Sequence, residues 1–370
     1  VLDDEAPDLV VLNGDLITGE NAFVQNSTVY LDQIVEPFVQ RGLSWASTYG
    51  NHDSDLNISS AAIYEREKSY LNSRTSRMVP GRNAGVSNYY LPVYAQNCTT
   101  CNCAPELLLW FFDSRGGFYY QEFQPDGSRV GQPGWVDTSV VEWFEQKNAK
   151  IAKKFDRVIP SLAFVHIPPF IFQAIQTENG RNSIHPNYHP GINDDYPLAT
   201  QAQGWCPDGR NDGSCQYGGQ DLPFMQAIAS TPGLIGVFSG HDHGDTWCHK
   251  WEGMIPGVPV PGNGINLCFG QHSGYGGYGN WIRGARQIRV SQKALQDSRE
   301  VETWIRLESS DVVGSVTLNA TFGEDSYPAT PNDMTYCPTC NYTVITPHPR
   351  KKTLGASTEQ SHGQWLQSVL

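Results

Sequence analysis

Short apolar runs alternate with amphipathic stretches through most of the chain. Leu9 to Asn13 (LVVLN) is too short for a helix and rich in strand formers. Thr28 to Gln40 follows, with Val29, Leu31, Ile34, Val35, Phe38 and Val39 near three-to-four spacing, which predicts a helix. The alternation repeats with a strand over Leu43–Tyr49, a helix over Ser59–Leu71 and an apolar strand over Leu107–Phe112. Asp137 is placed to cap a helix running to Phe155, with Val140, Val141 and Phe144 on one face. Ser161–Val165 and Gly233–Ser239 read as further strands, with a short helix at Asp221–Ser230 between them. Beyond about residue 285 the pattern turns to extended segments (RQIRV, TWIRL, GSVTL), which predicts antiparallel strands. Residues 173–220 and 253–280, rich in Gly, Pro, Asn and Asp, are expected to be loops. Val1–Glu5 reads as the last turn of a helix stopped by Pro7, so the chain is expected to open inside an α/β unit whose first strand lies upstream. Together these elements predict one α/β domain with strand-rich edges.

Polar residues gather where the strands end. Gly14-Asp15 follows VVLN, Gly50-Asn51-His52-Asp53 follows WASTY, His166 follows LAFV, and Gly240-His241-Asp242-His243 follows LIGVFS. Ligand sites in open α/β sheets lie beyond the carboxyl ends of strands. Each piece alone has an ordinary explanation: a turn for GD and GNHD, a core histidine for His166. Their recurrence at successive strand ends points to one site. Carboxylate, amide and imidazole donors without a thiolate suit Zn, Mn or Fe.

Composition narrows the compartment and the partners. The chain has 370 residues, a net charge of −13, 39% hydrophobic residues and 17% charged ones, enough apolar content for a core and too little charge for a disordered chain. An acidic surface argues against binding a nucleic-acid backbone, and no apolar run is long enough for a membrane span. N-x-[ST] triplets at Asn26, Asn57, Asn97, Asn319 and Asn341, with nine cysteines, favour a secreted or vacuolar glycoprotein. Cys206/Cys215, Cys248/Cys268 and Cys337/Cys340 are spaced for local disulfides, and Cys98, Cys101 and Cys103 crowd one loop. A zinc site in that loop is disfavoured, because no matching second pair follows. The odd count leaves one thiol free or paired outside this chain.

The series GD, GNHD, H, GHDH, in this order and at strand ends, resembles the calcineurin-like metallophosphoesterase superfamily. The wording VVLNGDLITGEN, FVHIPP, SGHDHGDTWC and SGYGGYGNWIRGAR is similar to its fungal and plant subgroup labelled purple acid phosphatase 29-like, which includes a yeast cell-cycle regulator phosphatase. The resemblance implies a two-sheet α/β sandwich flanked by helices, with a β-rich C-terminal part. Residues 1–290 would form the phosphoesterase domain, 291–350 an extension packed on it, and 351–370 a tail.

It further implies two metal ions, of Fe, Zn or Mn. Asp15 would bridge them, Asn51, His166 and His241 would complete one shell, and His243 would serve the other. His52 would protonate the leaving group of a phosphate ester, with Asp53 as its orienting partner. The expected reaction is hydrolysis of a phosphate monoester. A phosphodiesterase and a non-catalytic single-metal protein are the alternatives. Two departures stand out. Thr18 occupies the place where purple acid phosphatases carry a tyrosine ligand, so no tyrosinate charge-transfer colour is expected. The opening Asp-x-His block of the family is absent: either an upstream segment of the same precursor is cleaved but stays bound and supplies it, or the sequence is incomplete, with a one-metal protein that has lost activity as the third alternative.

Overall fold

The computed structural model describes residues 1–22, 27–99, 102–178, 181–198, 206 and 214–335. Its first half runs α1 (Leu2–Glu5), β1 (Leu9–Asn13), α2 (Val29–Arg41), β2 (Ser44–Thr48), α3 (Ser60–Glu67), β3 (Tyr89–Val93), β4 (Leu107–Phe112), β5 (Phe118–Phe123), β6 (Arg129–Gly131) and α4 (Thr138–Phe155). The second half continues β7 (Ser161–Val165), α5 (Phe170–Gln176), β8 (Thr177–Glu178), β9 (Arg181–Asn182), α6 (Leu222–Ser230), β10 (Leu234–Ser239), β11 (Cys248–Gly253), β12 (Gly262–Phe269), β13 (Gly284–Arg289), α7 (Gln292–Asp297), β14 (Val301–Leu307) and β15 (Val312–Leu318).

Six strands form the central sheet in the order β11-β12-β10-β7-β4-β3. Its four inner strands are parallel, and the antiparallel β11 and β3 close the edges. Buried on both faces, three of the inner strands are almost wholly apolar: LLLWFF, SLAFV and LIGVFS carry no exposed residue. One face packs on α4, α5 and α6 through Trp110, Phe112, Phe144, Phe172, Phe224 and Ile228. The other packs on a second layer, made of the parallel pair β1-β2 and the antiparallel trio β13-β14-β15. Phe111, Phe164 and Phe238 stack in a row between the layers, joined by Ala46, Val316 and Leu318. Helices α2 and α3 cover the outside of β1-β2. The molecule is thus a two-sheet sandwich with helices on both outer sides, as expected.

Three readings are corrected. The stretch 253–280 contains an eight-residue strand of the central sheet, β12. Its glycines hide the pattern, yet Ile265, Leu267, Cys268 and Phe269 are buried against β10 and β11. Helix α7 interrupts the C-terminal extended segments. In α2 only Leu31, Ile34, Val35 and Phe38 are buried, while Val29 and Val39 face solvent. Disulfides join Cys98 to Cys103, Cys206 to Cys215 and Cys248 to Cys268. The last links directly opposed residues of β11 and β12. Cys101, Cys337 and Cys340 lie outside the described residues, as do Asn26 and Asn341. Asn97 is exposed, and Asn57 and Asn319 are half-buried.

A buried carboxylate organises the turn from β2 towards β3. Glu67 Oε1 accepts the indole N–H of Trp45 (2.6 Å) and the hydroxyls of Ser47 and Thr75 (both 2.7 Å), and Oε2 accepts Tyr49 (2.7 Å). Removing the acceptor strands four buried donors at once. Glu67→Ala is therefore expected to lower stability by about 3 kcal/mol or more in urea unfolding.

The loop before the 192–198 segment is held by His189, whose ring stacks on His249 of β11 at 4.3 Å. Burial and the neighbouring His185 push His189 down to about 4. Burial and His189 push His249 down to about 3. The unfolded chain binds these protons near pH 6.5, so it gains protons relative to the fold as pH falls. Stability is expected to drop between pH 6.5 and about 4, and His249→Phe should make that fall shallower in acid titrations followed by circular dichroism.

Candidate metal centre

Parallel pairing brings the chemistry-bearing turns to one rim. Asn13 lies opposite Thr48 across β1-β2, and Phe112, Val165, Ser239 and Phe269 are in register across the central sheet. The residues that follow, Asp15, Asn51, His52, His166 and His241, leave the strands at the same level. Asn13 binds the two layers together there. Its Nδ2 donates to Phe238 O (3.1 Å), its Oδ1 accepts the Thr48 hydroxyl (3.0 Å), and its carbonyl lies 2.7 Å from His166 Nδ1.

Asp15, His166 and His241 converge, with one donor atom of each within 4.8 Å of the others. Two of them sit in unusual backbone: Asp15 has φ 53° and His241 has φ 76°, the left-handed region that side chains rarely enter. The approach is close enough to exclude side chains at two neighbours. A β-carbon at Gly14 would overlap the His166 ring, and one at Gly50 would overlap the Asp15 carboxylate.

The donor set fits a cation. His166 Nδ1 faces a carbonyl, which only accepts, so that nitrogen carries the proton and Nε2 turns its lone pair towards Asp15 Oδ2 at 3.0 Å. His166 Nε2, both ring nitrogens of His241 and Asn51 Oδ1 are shut off from solvent without a hydrogen-bond partner. Buried polar atoms are rarely left so, and a metal ion shared among them would satisfy one nitrogen of each imidazole and the Asn51 oxygen. Charge agrees. Although burial opposes it, His166 and His52 hold the Asp15 carboxyl well below its usual range. Burial, with His166 beside it, pushes His241 down to about 3, leaving a neutral imidazole suited to ligation.

His52 stands beside this cluster. Its backbone N–H donates to Asp15 Oδ1 (2.9 Å), and its ring Nδ1 meets Glu20 Oε1 at 2.8 Å. Against the desolvation that would lower it, Asp15 and Glu20 raise His52 to about 10. Asp53 does not play the orienting part expected of it. Its carboxylate accepts the backbone N–H of Ile17 (2.8 Å) and of Gly50 (2.8 Å), clasping the loop after β1 to the loop after β2. Burial and Asp15 raise it to about 7. The partner of the His52 ring is Glu20, to which the sequence reading gave no role: it lies in a turn at Gly19–Asn21, at the end of the VVLNGDLITGEN stretch. Nor is His243 part of the cluster. Its ring stacks on Tyr278 at 4.1 Å, with Nδ1 held by the Tyr278 carbonyl at 2.9 Å. Thr18 is among the residues lining the cavity beside the cluster.

The sequence profile of the calcineurin-like phosphoesterases matches residues 1–245. The chain belongs to this family. "Probable inactive purple acid phosphatase 29" of Arabidopsis thaliana is 23% identical over 322 residues, 82% of this chain and 71% of its own length. "Probable inactive purple acid phosphatase 28" of the same plant is 26% identical, over 83% of this chain and 70% of its own. "Phosphatase DCR2" of Saccharomyces cerevisiae is 27% identical, over 84% of this chain and 47% of its own length. A dimetal phosphatase from Danio rerio superposes with a TM-score of 0.46 at 11% identity, covering 86% of this chain and 85% of that one. Membership of this family implies divalent metal ions and phosphate-ester substrates. No helix among the described residues is long and apolar enough to cross a membrane.

The close approach at Gly50 gives a direct test. Gly50→Ala is expected to keep the fold but to displace Asp15, weakening zinc binding ~10-fold or more in calorimetric titration.

Proposed function

We propose that this chain hydrolyses phosphate monoesters with a pair of metal ions. The observation that carries the reading is the convergence of Asp15, His166 and His241, with their unpartnered nitrogens, beside a His52 paired to Glu20. Asp15, Asn51, His166 and His241 would hold one ion, and Asp15 with His243 would serve the other, of Fe, Zn or Mn. Cations in this place supply positive charge to the phosphoryl oxygens and make water a nucleophile near neutral pH. The chain's own residues do the rest. Glu20 fixes the His52 ring through Nδ1, which leaves Nε2–H to donate to the leaving-group oxygen. Asp53 keeps the two loops that carry Asp15 and His52 in one arrangement. His166 is oriented by the Asn13 carbonyl.

The reading extends to the groove beside the cluster. A cavity of about 680 Å³ runs along β1 and β13, with Leu107, Leu109, Leu162, Phe164 and Phe238 among its lining residues and Asp15 and His241 at the rim. β1 and β13 each end their sheet, so each offers an edge without a strand partner among the described residues. Such a slot suits one extended polypeptide segment, and a retained piece of the precursor is the occupant that this reading assigns. The disulfides, and the exposed Asn97 within a glycosylation triplet, support a place in the secretory pathway. A second reading, a single-cation binding protein, draws on one observation: His243 stands apart from the other three donors.

Initial rates on p-nitrophenyl phosphate and bis-p-nitrophenyl phosphate decide between these readings. The monoester is expected to react faster, chelation or Asp15→Asn to abolish turnover, and His52→Asn to cost ~100-fold or more. The His52 loss should be larger for alkyl phosphates, whose leaving groups need the proton. Faster diester cleavage, or activity that survives Asp15→Asn, overturns the proposal.

A further inference from the structure

His272 takes no part in the site as the family motifs define it, yet it lies against His243. It follows β12, whose last residue, Phe269, is in register with Ser239 just ahead of the His241 turn. The His243 and His272 rings are 4.1 Å apart and inclined at 39°. Both line the cavity that Asp15, His166 and His241 share.

The hydrogen bonds fix which nitrogen of each ring is free. His243 Nδ1 meets the Tyr278 carbonyl at 2.9 Å, and His272 Nε2 meets the Gly276 carbonyl at 3.1 Å. A carbonyl only accepts, so these nitrogens carry the protons. The lone pairs are left on His243 Nε2 and His272 Nδ1, and the latter is shut off from solvent without a partner. An imidazole whose other nitrogen donates to a backbone carbonyl is the usual state of a metal-ligating histidine.

The supports of both rings are rigid. The Tyr278 hydroxyl accepts the His243 backbone N–H at 3.2 Å and donates to Asp195 at 2.5 Å. Asp195 also accepts the Gly244 N–H at 2.8 Å, so one carboxylate ties the His243 turn to the glycine-rich loop. That loop is wrapped around the buried guanidinium of Arg283, which donates to the carbonyls of Gly274 (2.6 Å), Gly279 (3.1 Å) and Trp281. The guanidinium keeps its charge and acts on His272, and Asp242 and Asp245 line the same cavity.

We propose that His272 joins His243 as a ligand of a second cation position, which takes a borderline divalent transition-metal ion such as Zn²⁺. The proposal rests on the metal-dependent reading above and adds to it a ligand from outside the matched motifs. Two imidazoles leave the remaining coordination positions open, as at a reactive rather than a structural zinc site.

The test is a calorimetric titration of the chelator-treated full chain with ZnCl₂, with zinc content measured after gel filtration. His272→Ala, His272→Gln, His241→Ala and, as a control away from the cavity, His189→Ala are titrated alongside. The wild-type chain is expected to show two classes of site. Both His272 variants should lose one class, or weaken it at least ~10-fold, while His241→Ala loses the other and His189→Ala keeps both. Zinc-free thermal melts establish that each variant is folded. Retention of both classes in the folded His272 variants overturns the proposal. A single class that His241→Ala removes and His272→Ala spares also overturns it, while leaving the Asp15–His166–His241 position standing. Absence of zinc binding in every chain, the wild type included, overturns both this proposal and the metal-dependent reading.

Discussion

The Asp15 carboxylate is the charge around which the rest is arranged. One oxygen accepts the His52 N–H and the other faces His166. The residue is held in left-handed backbone by the turn that ends β1. An anion enclosed by protein is costly unless positive charge meets it. Here imidazoles crowd it, and the unpartnered nitrogens of His241 and His166 show that protein donors alone do not complete the arrangement. Glycines at positions 14 and 50, the Asn13 bridge and the Asp53 clasp all serve to keep this carboxylate within reach of its neighbours.

Much of this was legible in the chain itself. The apolar runs at Leu9–Asn13, Leu107–Phe112 and Ser161–Val165 became strands with the expected limits, and for the last two the reason is that a parallel layer buried on both faces demands nearly unbroken apolar residues. The Asp137 cap begins α4 as anticipated, its side chain accepting the Ser139 N–H. Strand-end polarity located the rim, since the carboxyl ends of parallel strands share one side of the sheet. What escaped has physical reasons too. β12 alternates glycine with asparagine at its start, so no periodicity announces it. Glu20 acts through a tertiary contact with His52, and although it lies in the VVLNGDLITGEN stretch, nothing local tells which side chain it will meet. Asp53, adjacent to His52 in sequence, was the natural candidate for that contact. Yet the 3₁₀ turn at Asn51–Asp53 directs its carboxylate back to the N–H groups of Gly50 and Ile17.

The second layer differs in kind from the first. The central sheet is continuous, whereas its companion is split between β1-β2 and β13-β14-β15. The split is bridged at one end by Glu5, which meets Trp304 and Arg306 of β14 across the gap. Everything between is open groove, lined by apolar side chains of the layer below.

The order in which the donors occur along the chain bears on how the protein acquires its shape. Asp15 comes from the first strand and His241 from near the end of the parallel layer, so their meeting closes one of the longest loops in the molecule. Contacts of such separation form late, after their entropic cost has been met by the packing of intervening strands. The cluster is thus expected to be complete only once those strands have packed. An ion that binds there recognises the completed fold alone and draws the population towards it by mass action. In that sense the metal would be the last element to fold.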